Sequence, residues 1–175
     1  MNDLDSIIDR EQIRDCLARL IRGLDRRNAE LVRASYWPDA TDDHGVSIGS
    51  VEQLLAWVSP GDPTIILTAH TLGQSLIDLR GATALVETHV TAYHRVDADG
   101  QERDVFLGGR YLDRMEKRGN EWRISHRKMV FDWQSDVGRS VDWSKGLFGM
   151  PFVGEHAVGS AHGDCSDAFF STTLT

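Results

Sequence analysis

Residues 64–79, TIILTAHTLGQSLIDL, open a series of four β-rich runs that decides the fold. The other three are ATALVETHVTAYHRV (82–96), ERDVFLGGRYLDRMEKR (102–118) and EWRISHRKMVFDW (121–133). The pairs Arg80-Gly81, Asp99-Gly100 and Gly119-Asn120 separate the runs and are typical of tight hairpin turns. Consecutive hairpins produce an antiparallel sheet with a strong twist.

Helices are predicted ahead of this sheet. Apolar residues recur at spacings of three and four over residues 4–24, as they do on an amphipathic helix. A short second helix is predicted at 28–36 with Asn28 as its cap, and Ser50 begins a capping box for a third at about 50–58. The order predicts an α+β fold, in which N-terminal helices pack on a strongly curved antiparallel sheet.

Composition narrows the classes of protein. The 175 residues include 19 Lys+Arg and 27 Asp+Glu, a net charge of −8, which opposes general binding to nucleic acid. The chain has no apolar run of about 18 residues and no signal-peptide pattern, so we expect a cytoplasmic protein without a membrane partner. Cys16 and Cys165 form neither a metal-binding spacing nor a disulfide framework, which indicates reduced thiols.

The sequence changes character after Trp133, where glycine and serine become frequent and periodicity fades. We therefore expect residues 1–133 to form one domain and residues 134–175 to form an extended C-terminal arm, disordered toward its end. The arm would lie over a pocket or wrap a neighbouring subunit.

Asp25 and His70 are the first candidates for catalysis. Asp25 ends the first predicted helix, where the macrodipole disfavours a carboxylate, so either Arg26 and Arg27 neutralise it or it points inward to a histidine. His70 lies in the first β run among apolar residues, and both its ring nitrogens need partners. A carboxylate on Nδ1 would make it a general base, whereas a backbone carbonyl would make it a structural residue. The residues alone leave both alternatives open.

The last β run predicts one wall of a pocket. Strict alternation would place Arg123, Ser125, Arg127, Met129, Phe131 and Trp133 on one face, and Trp122, Ile124, His126, Lys128, Val130 and Asp132 on the other. The face with Arg127 becomes apolar toward its end, where a guanidinium needs a carboxylate or an anionic ligand atom. Arg127 therefore either stabilises developing negative charge or forms an internal salt bridge. The same question applies to Arg110, and the adjacent pair Gly108-Gly109 indicates a bulge or bend.

Two further patterns are weaker. Residues 45–49 match G-x-S-x-G, but no apolar strand precedes them, which argues against a nucleophile elbow. Asp39, Asp42, Asp43 and His44 could be taken for metal ligands, yet they follow Pro38 on a predicted loop without a spaced third element. We predict that this acidic cluster is solvated or caps a turn, and we predict no metal site.

The chain resembles the SnoaL-like branch of the nuclear-transport-factor-like cone-fold superfamily over about residues 4–133. The resemblance rests on GLDRRN (23–28), YWPDAT (36–41), AHTLG (69–73) and GGRYLDRMEKRGNEWRISHR (108–127). The superfamily includes scytalone dehydratase, bile-acid dehydratase, ketosteroid isomerase, polyketide cyclases and hexachlorocyclohexane dehydrochlorinase. The dehydrochlorinase type is the most similar, and it implies a cone-shaped barrel, a dyad of Asp25 and His70, and Arg127 assisting the leaving group. The apolar contact positions and the arm after Trp133 depart from that pattern.

With this resemblance, we expect a lyase that needs no cofactor. His70 would remove a proton from carbon, Asp25 would hold the imidazole, and Arg127 with Tyr36 or Tyr111 would bind an oxyanion or departing group. The reaction would be a dehydration, a dehydrohalogenation or a retro-aldol-type elimination.

The substrate is expected to be small, hydrophobic and ring-containing, since Trp37, Met129, Phe131 and Trp133 would form an apolar wall. An isomerase or polyketide-type cyclase using the same base is one alternative, and a non-catalytic small-molecule-binding module is another. A homo-oligomer, dimer or trimer, is expected because one face of the sheet lies outside the helices.

Overall fold

The computed structural model describes residues 3–59, 61–154 and 159–172. The helices are α1 (Asp3–Asp25), α2 (Ala29–Arg33), α3 (Val51–Val58) and α4 (Cys165–Phe170), with a 3-10 turn at Trp143–Lys145. The strands are β1 (Tyr36–Asp43), β2 (Ile48–Ser50), β3 (Ile65–Arg80), β4 (Thr83–Ala98), β5 (Gln101–Arg118) and β6 (Glu121–Arg139). Among the described helices, none is long and apolar enough to cross a membrane.

The six strands form one curled sheet in the order β2-β1-β6-β5-β4-β3. The hairpins from β3 to β6 pair antiparallel, as the turn signals predict, whereas β1 pairs parallel with β6. The predicted α+β class and the N-terminal helices on a strongly curved sheet are confirmed. The barrel is not closed, because β2 and β3 end the sheet as separate edges.

The helices follow the predicted order with two differences at their ends. Leu4 and Ile7 are 64% and 57% exposed, so the predicted apolar face of α1 is buried only from its third turn onward. The second helix ends at Arg33 and not at residue 36, because Trp37 precedes a proline and is driven into extended backbone. The predicted third helix is confirmed with its capping box at Ser50.

The core lies between the helices and the concave face of the sheet. Ile13 and Leu17 of α1 and Leu54 of α3 meet Met115 of β5 and Ile124 of β6, and all five are 2% exposed or less. Burial of such side chains contributes about 1.5–3 kcal/mol each, which fixes α1 and α3 against the sheet.

The prediction that side chains alternate strictly between the two faces of β6 is wrong. Trp122 and Ile124 are buried on the same side as Arg127, although they differ from it by an odd number of positions. The register with β5 shifts here, because Met115 pairs with Ile124 while Arg114 pairs with His126. Ser125 is therefore the extra residue of a β-bulge, which exchanges the two faces of the strand.

A second bulge turns Trp133 away from Phe131. Gly109 pairs with Phe131 and Gly108 pairs with Trp133, so Asp132 is the additional residue. A Cβ at position 108 would lie 2.2 Å from the Trp133 ring, which therefore occupies the space that a side chain would need. The predicted bend at Gly108-Gly109 is confirmed, while the predicted common face of Phe131 and Trp133 is wrong.

The C-terminal segment packs on α1 of its own chain. β6 continues beyond Trp133 to Arg139, and the segment returns as α4. Arg22 of α1 binds Asp167 of α4 at 2.7 Å and lies 4.7 Å from the centroid of the Phe170 ring. The disorder predicted at the end of the arm falls on residues 173–175, which lie outside the described residues.

The two glycines of the second bulge should differ in tolerance. A Cβ at Gly109 would lie 2.0 Å from the Val130 carbonyl oxygen, so the backbone must move, whereas at Gly108 only the half-exposed Trp133 ring must move. Gly109→Ala should lower the free energy of unfolding by about 1–3 kcal/mol and Gly108→Ala by less. Urea denaturation measures both, and an equal or larger loss for Gly108→Ala would contradict the bulge geometry.

Candidate active site

Asp25 and His70 lie in direct contact. The Asp25 Oδ1 atom is 2.6 Å from His70 Nδ1, and Asp25 Oδ2 accepts the His70 backbone N–H at 2.9 Å. Thr68 donates its hydroxyl to Asp25 Oδ1 at 3.0 Å. Both partners are 12% exposed at their side chains, so the carboxylate points inward from the end of α1 and binds β3.

The flanking arginines have other partners. Arg26 faces Asp164 at 3.6 Å, and Arg27 donates to the backbone carbonyl of Ile65. Of the two alternatives for Asp25, the structure therefore has the inward one, with donors from β3 compensating the unfavourable end of the helix dipole.

The His70 ring lines a cavity of about 120 Å³ that is open on one side. Its apolar wall includes Leu24, Leu54, Trp57, Leu107, Met129 and Phe131. Its polar groups include Arg27, His44, Thr68, His70, His94 and Tyr111. Among the described residues His70 Nε2 has no hydrogen-bond partner, so this nitrogen can accept a proton from a ligand in the cavity.

His94 of β4 stands beside His70, and sequence reasoning did not identify it. The two ring centroids are 5.8 Å apart in an edge-to-face arrangement. Burial, with the charge of a protonated His70, lowers the pKa of His94 to about 4, so this imidazole is neutral at neutral pH. Ala92 pairs with His70, and His94 lies two residues further along β4, on the same face as Ala92. This cross-strand spacing could have predicted that His94 lies beside His70.

A second histidine–carboxylate pair lines the same cavity. His44 Nδ1 contacts Asp42 Oδ1, and Tyr36 donates its hydroxyl to Asp42 Oδ2 at 2.7 Å. Asp42 is 2% exposed and His44 8%, so the prediction that the acidic cluster is solvated or caps a turn is wrong for these two. They lie at and just after the end of β1, where residues two apart share a face. The Asp-x-His spacing could therefore have predicted that the two side chains meet.

The His44 ring packs between two aromatic side chains of the cavity wall. Its centroid lies 5.6 Å from that of Trp57 and 6.0 Å from that of Tyr111. Burial raises the pKa of Tyr111 to about 12, so its hydroxyl stays protonated and can donate a hydrogen bond.

Arg127 forms an internal salt bridge and does not line the cavity. Its Nε and Nη2 atoms donate to the two carboxylate oxygens of Asp113, both at 2.7 Å, and the side chain is 1% exposed. The guanidinium carbon lies 3.8 Å from the centroid of the Tyr111 ring. Arg127 is therefore separated from the cavity by Tyr111, and of the two alternatives for this arginine the structure has the internal pair.

Three other predicted contact residues also lie elsewhere. Tyr36 is buried and held by Asp42, and Trp133 lies on the opposite face of β6 from Phe131. Trp37 donates its indole N–H to the Glu116 carbonyl at 2.9 Å, on the far side of the core from the cavity lining. Of the predicted wall residues, Met129 and Phe131 line the cavity, and so does Tyr111, which was predicted as a helper of Arg127. Leu54 and Trp57 of α3 complete the apolar wall in place of Trp37 and Trp133.

Comparison with known proteins gives consistent results. The family model of the SnoaL-like domain matches residues 5–128. No curated protein sequence matches the chain.

Solved structures show the cone fold. A hexachlorocyclohexane dehydrochlorinase (LinA) type 2 superposes with a TM-score of 0.70 at 17% identity, covering 78% of this chain and 93% of that one. A provisional scytalone dehydratase from Novosphingobium aromaticivorans gives 0.66 at 19% identity, covering 75% and 89%. A protein from Kribbella flavida gives 0.67 at 18% identity, covering 74% and 95%.

Removal of one partner from the buried Arg127–Asp113 pair should destabilise the protein. Arg127→Met leaves the Asp113 carboxylate, which is fully buried, without its bidentate donor. We expect a loss of about 3–5 kcal/mol in the free energy of unfolding, and recovery of much of it in Arg127→Met/Asp113→Leu. Urea denaturation measures both variants. A single variant as stable as the double one would show that the pair is not desolvated.

The depressed pKa of His94 should appear in the pH dependence of stability. The unfolded imidazole binds a proton below about pH 6.5, whereas the folded one, with a pKa of about 4, does not, so stability falls as the pH decreases between these values. His94→Gln should unfold with a weaker pH dependence over that range, and His89→Gln, exposed on the other face of β4, should not differ from the wild type. Thermal denaturation at several pH values measures this. Parallel curves for wild type and His94→Gln would contradict it.

Proposed function

Because the chain belongs to the SnoaL-like domain family, we propose that it is a cofactor-free lyase acting on a small hydrophobic, ring-containing substrate. It would remove a proton from carbon and expel a group from the neighbouring carbon. The observation that supports this most strongly is the contact between Asp25 and His70 at the wall of an apolar cavity.

His70 is the base in this proposal. The Asp25 carboxylate accepts the Nδ1 proton, so the lone pair of the neutral imidazole is at Nε2, the nitrogen left for the substrate. When Nε2 takes a proton, the same carboxylate stabilises the imidazolium. A base positioned in this way contributes about 10²–10⁴-fold to the rate.

The cavity favours a substrate with a single ring. Its volume of about 120 Å³ is slightly below that of an engineered apolar cavity of about 150 Å³ that accepts benzene. Leu24 and Leu107 with Phe131 give it apolar surface, and its open side lets substituents project outward. A carbonyl on the ring would acidify the neighbouring C–H bond that His70 attacks.

Tyr111 is proposed to bind the developing oxyanion. Its hydroxyl lines the cavity and stays protonated, so it can donate to an enolate oxygen. Arg127 then acts as a positioning residue, because its charge lies behind the ring of Tyr111 and makes the phenol a stronger donor.

A homo-oligomer, dimer or trimer, is part of the proposal. The convex face of the sheet exposes Leu76, Leu85 and Leu112 to 72%, 46% and 37%, and they line one shallow groove. Apolar surface of this kind is typical of contacts between subunits.

Substitution of the base should abolish the reaction. A mass-spectrometric screen of hydroxylated and halogenated ring ketones should give wild-type products lighter by water or hydrogen halide. His70→Ala should reduce that rate by about 10²–10⁴-fold, and Asp25→Asn should lose most of it because the imidazole is no longer held as the Nδ1–H tautomer.

His89→Gln is the matched control, since this exposed histidine contacts neither the cavity nor the pair. Equal turnover in wild type and His70→Ala would refute the base. Products of unchanged mass would indicate an isomerase and not a lyase.

A further inference from the structure

The cavity holds a second imidazole that the proposed proton abstraction does not use. His44 lines it together with His70, and its own carboxylate partner, Asp42, lies two residues earlier in β1. Elimination needs two proton transfers when the leaving group is an oxygen, one from carbon and one to the departing atom. Two histidine–carboxylate pairs at one cavity match that requirement.

We propose that His44 is a second catalytic residue, a general acid that protonates an oxygen leaving group, and that the substrates are therefore β-hydroxy ring ketones. This assignment rests on the function proposed above and specifies its substrate class. It distinguishes dehydration from loss of halide, because a chloride ion leaves without being protonated.

The proposed dehydration moves two protons and two electron pairs. His70 Nε2 takes the proton from the carbon next to the carbonyl, and the electron pair of that C–H bond forms the new C=C bond. The C–O bond on the next carbon breaks with its electron pair on oxygen, and this oxygen takes the Nε2 proton of His44 to leave as water. His70 ends as imidazolium and His44 as neutral imidazole. One proton passed from His70 to His44 through solvent restores the enzyme.

The His44 ring is held against a buried carboxylate. Asp42 contacts Nδ1, and Tyr36 binds the other oxygen of Asp42. Burial alone would raise the pKa of Asp42, but the hydrogen bond and charge of His44, the hydrogen bond from Tyr36 and the charge of Arg127 lower it. With Asp113 and Arg127 paired behind it, the cluster has one excess negative charge, which protonation of His44 neutralises.

The remaining neighbours of His44 do not compete for its proton. Trp57 of α3 and Tyr111 of β5 pack against the ring, and the Tyr111 phenol stays neutral. Among the described residues, Nε2 of His44 has no hydrogen-bond partner, and the ring faces the cavity. This nitrogen is therefore accessible to a ligand in the cavity.

The carboxylate beside His70 has more hydrogen-bond donors than the one beside His44. The Asp25 carboxylate is divided among three donors, namely Thr68, the His70 backbone and the His70 ring. The imidazole of His94 stands beside His70 in place of a charged partner. In the proposed step His70 acts as the neutral base and His44 as the acid.

A matched pair of substrates tests this assignment. 3-Hydroxycyclohexanone and 3-chlorocyclohexanone lose water and hydrogen chloride respectively and give the same cyclohexenone, which is followed by ultraviolet absorbance after correction for buffer-catalysed elimination. His44→Gln should lower kcat/KM for the hydroxyketone by about 10²–10⁴-fold more than kcat/KM for the chloroketone. His70→Ala should abolish both reactions, and His89→Gln should affect neither.

The pH profile of the wild type gives a second test that needs no variant to fold. With the hydroxyketone the rate should be bell-shaped, because the base must be neutral and the acid charged. With the chloroketone the alkaline decrease should be absent. Circular dichroism checks that each variant is folded.

Several outcomes would overturn the assignment. Equal losses for both ketones in His44→Gln, or identical pH profiles, would make His44 a structural or binding residue. A selective loss for the hydroxyketone in Tyr111→Phe but not in His44→Gln would transfer the role to the phenol. In each case complete loss of both eliminations in His70→Ala would leave the proposed function intact. Turnover that survives His70→Ala, or a wild type inactive on both ketones, would refute the proposed function and this assignment with it.

Discussion

A buried carboxylate at the end of α1 is the constraint on which the arrangement of the site depends. Asp25 is 8% exposed and lies where the helix dipole opposes negative charge, so it needs strong donors close by. β3 supplies them from Thr68 and from both the backbone and the ring of His70. The same bonds that satisfy Asp25 join the helix to an edge strand and orient the imidazole toward the cavity.

A second buried carboxylate, Asp42, is also held by nearby donors, and it lies beside a different part of the cavity wall. This carboxylate accepts a hydrogen bond from Tyr36 and contacts His44 Nδ1. The nearby Arg127 donates to Asp113 through Nε and Nη2, and among the described residues its buried Nη1 has no hydrogen-bond partner. Buried charges are stable when they are paired in this way. The first pair leaves the His44 ring facing the cavity, and the second leaves Arg127 facing the ring of Tyr111. The apolar lining around them lowers the polarity of the cavity wall, which strengthens electrostatic interactions with a bound ligand.

The sequence predicted the hairpins and the helices that cover them because turn residues and hydrophobic periodicity are local signals. The two bulges in β6 were not predicted, since Ser125 and Asp132 look like ordinary strand residues and only pairing with β5 shows that they are extra. These bulges decide which face each side chain takes, which is why Trp133 was placed on the wrong side. The contact of Asp25 with His70 could be anticipated only through family resemblance, because the residues are 45 positions apart. Asp42 and His44 were predicted to be solvated or to cap a turn, because Pro38 and the acidic run resemble a loop, whereas both are buried.

The central claim is that Asp25 holds His70 as the Nδ1–H tautomer with a free Nε2. Nitrogen-15 NMR of the imidazole side chains, assigned by comparison with His70→Ala, tests it directly at neutral pH. The account predicts a protonated Nδ1 and an unprotonated Nε2 for His70, and a loss of this preference in Asp25→Asn. A His70 ring protonated at Nε2 in the wild type, or a tautomer unaffected by Asp25→Asn, would contradict it.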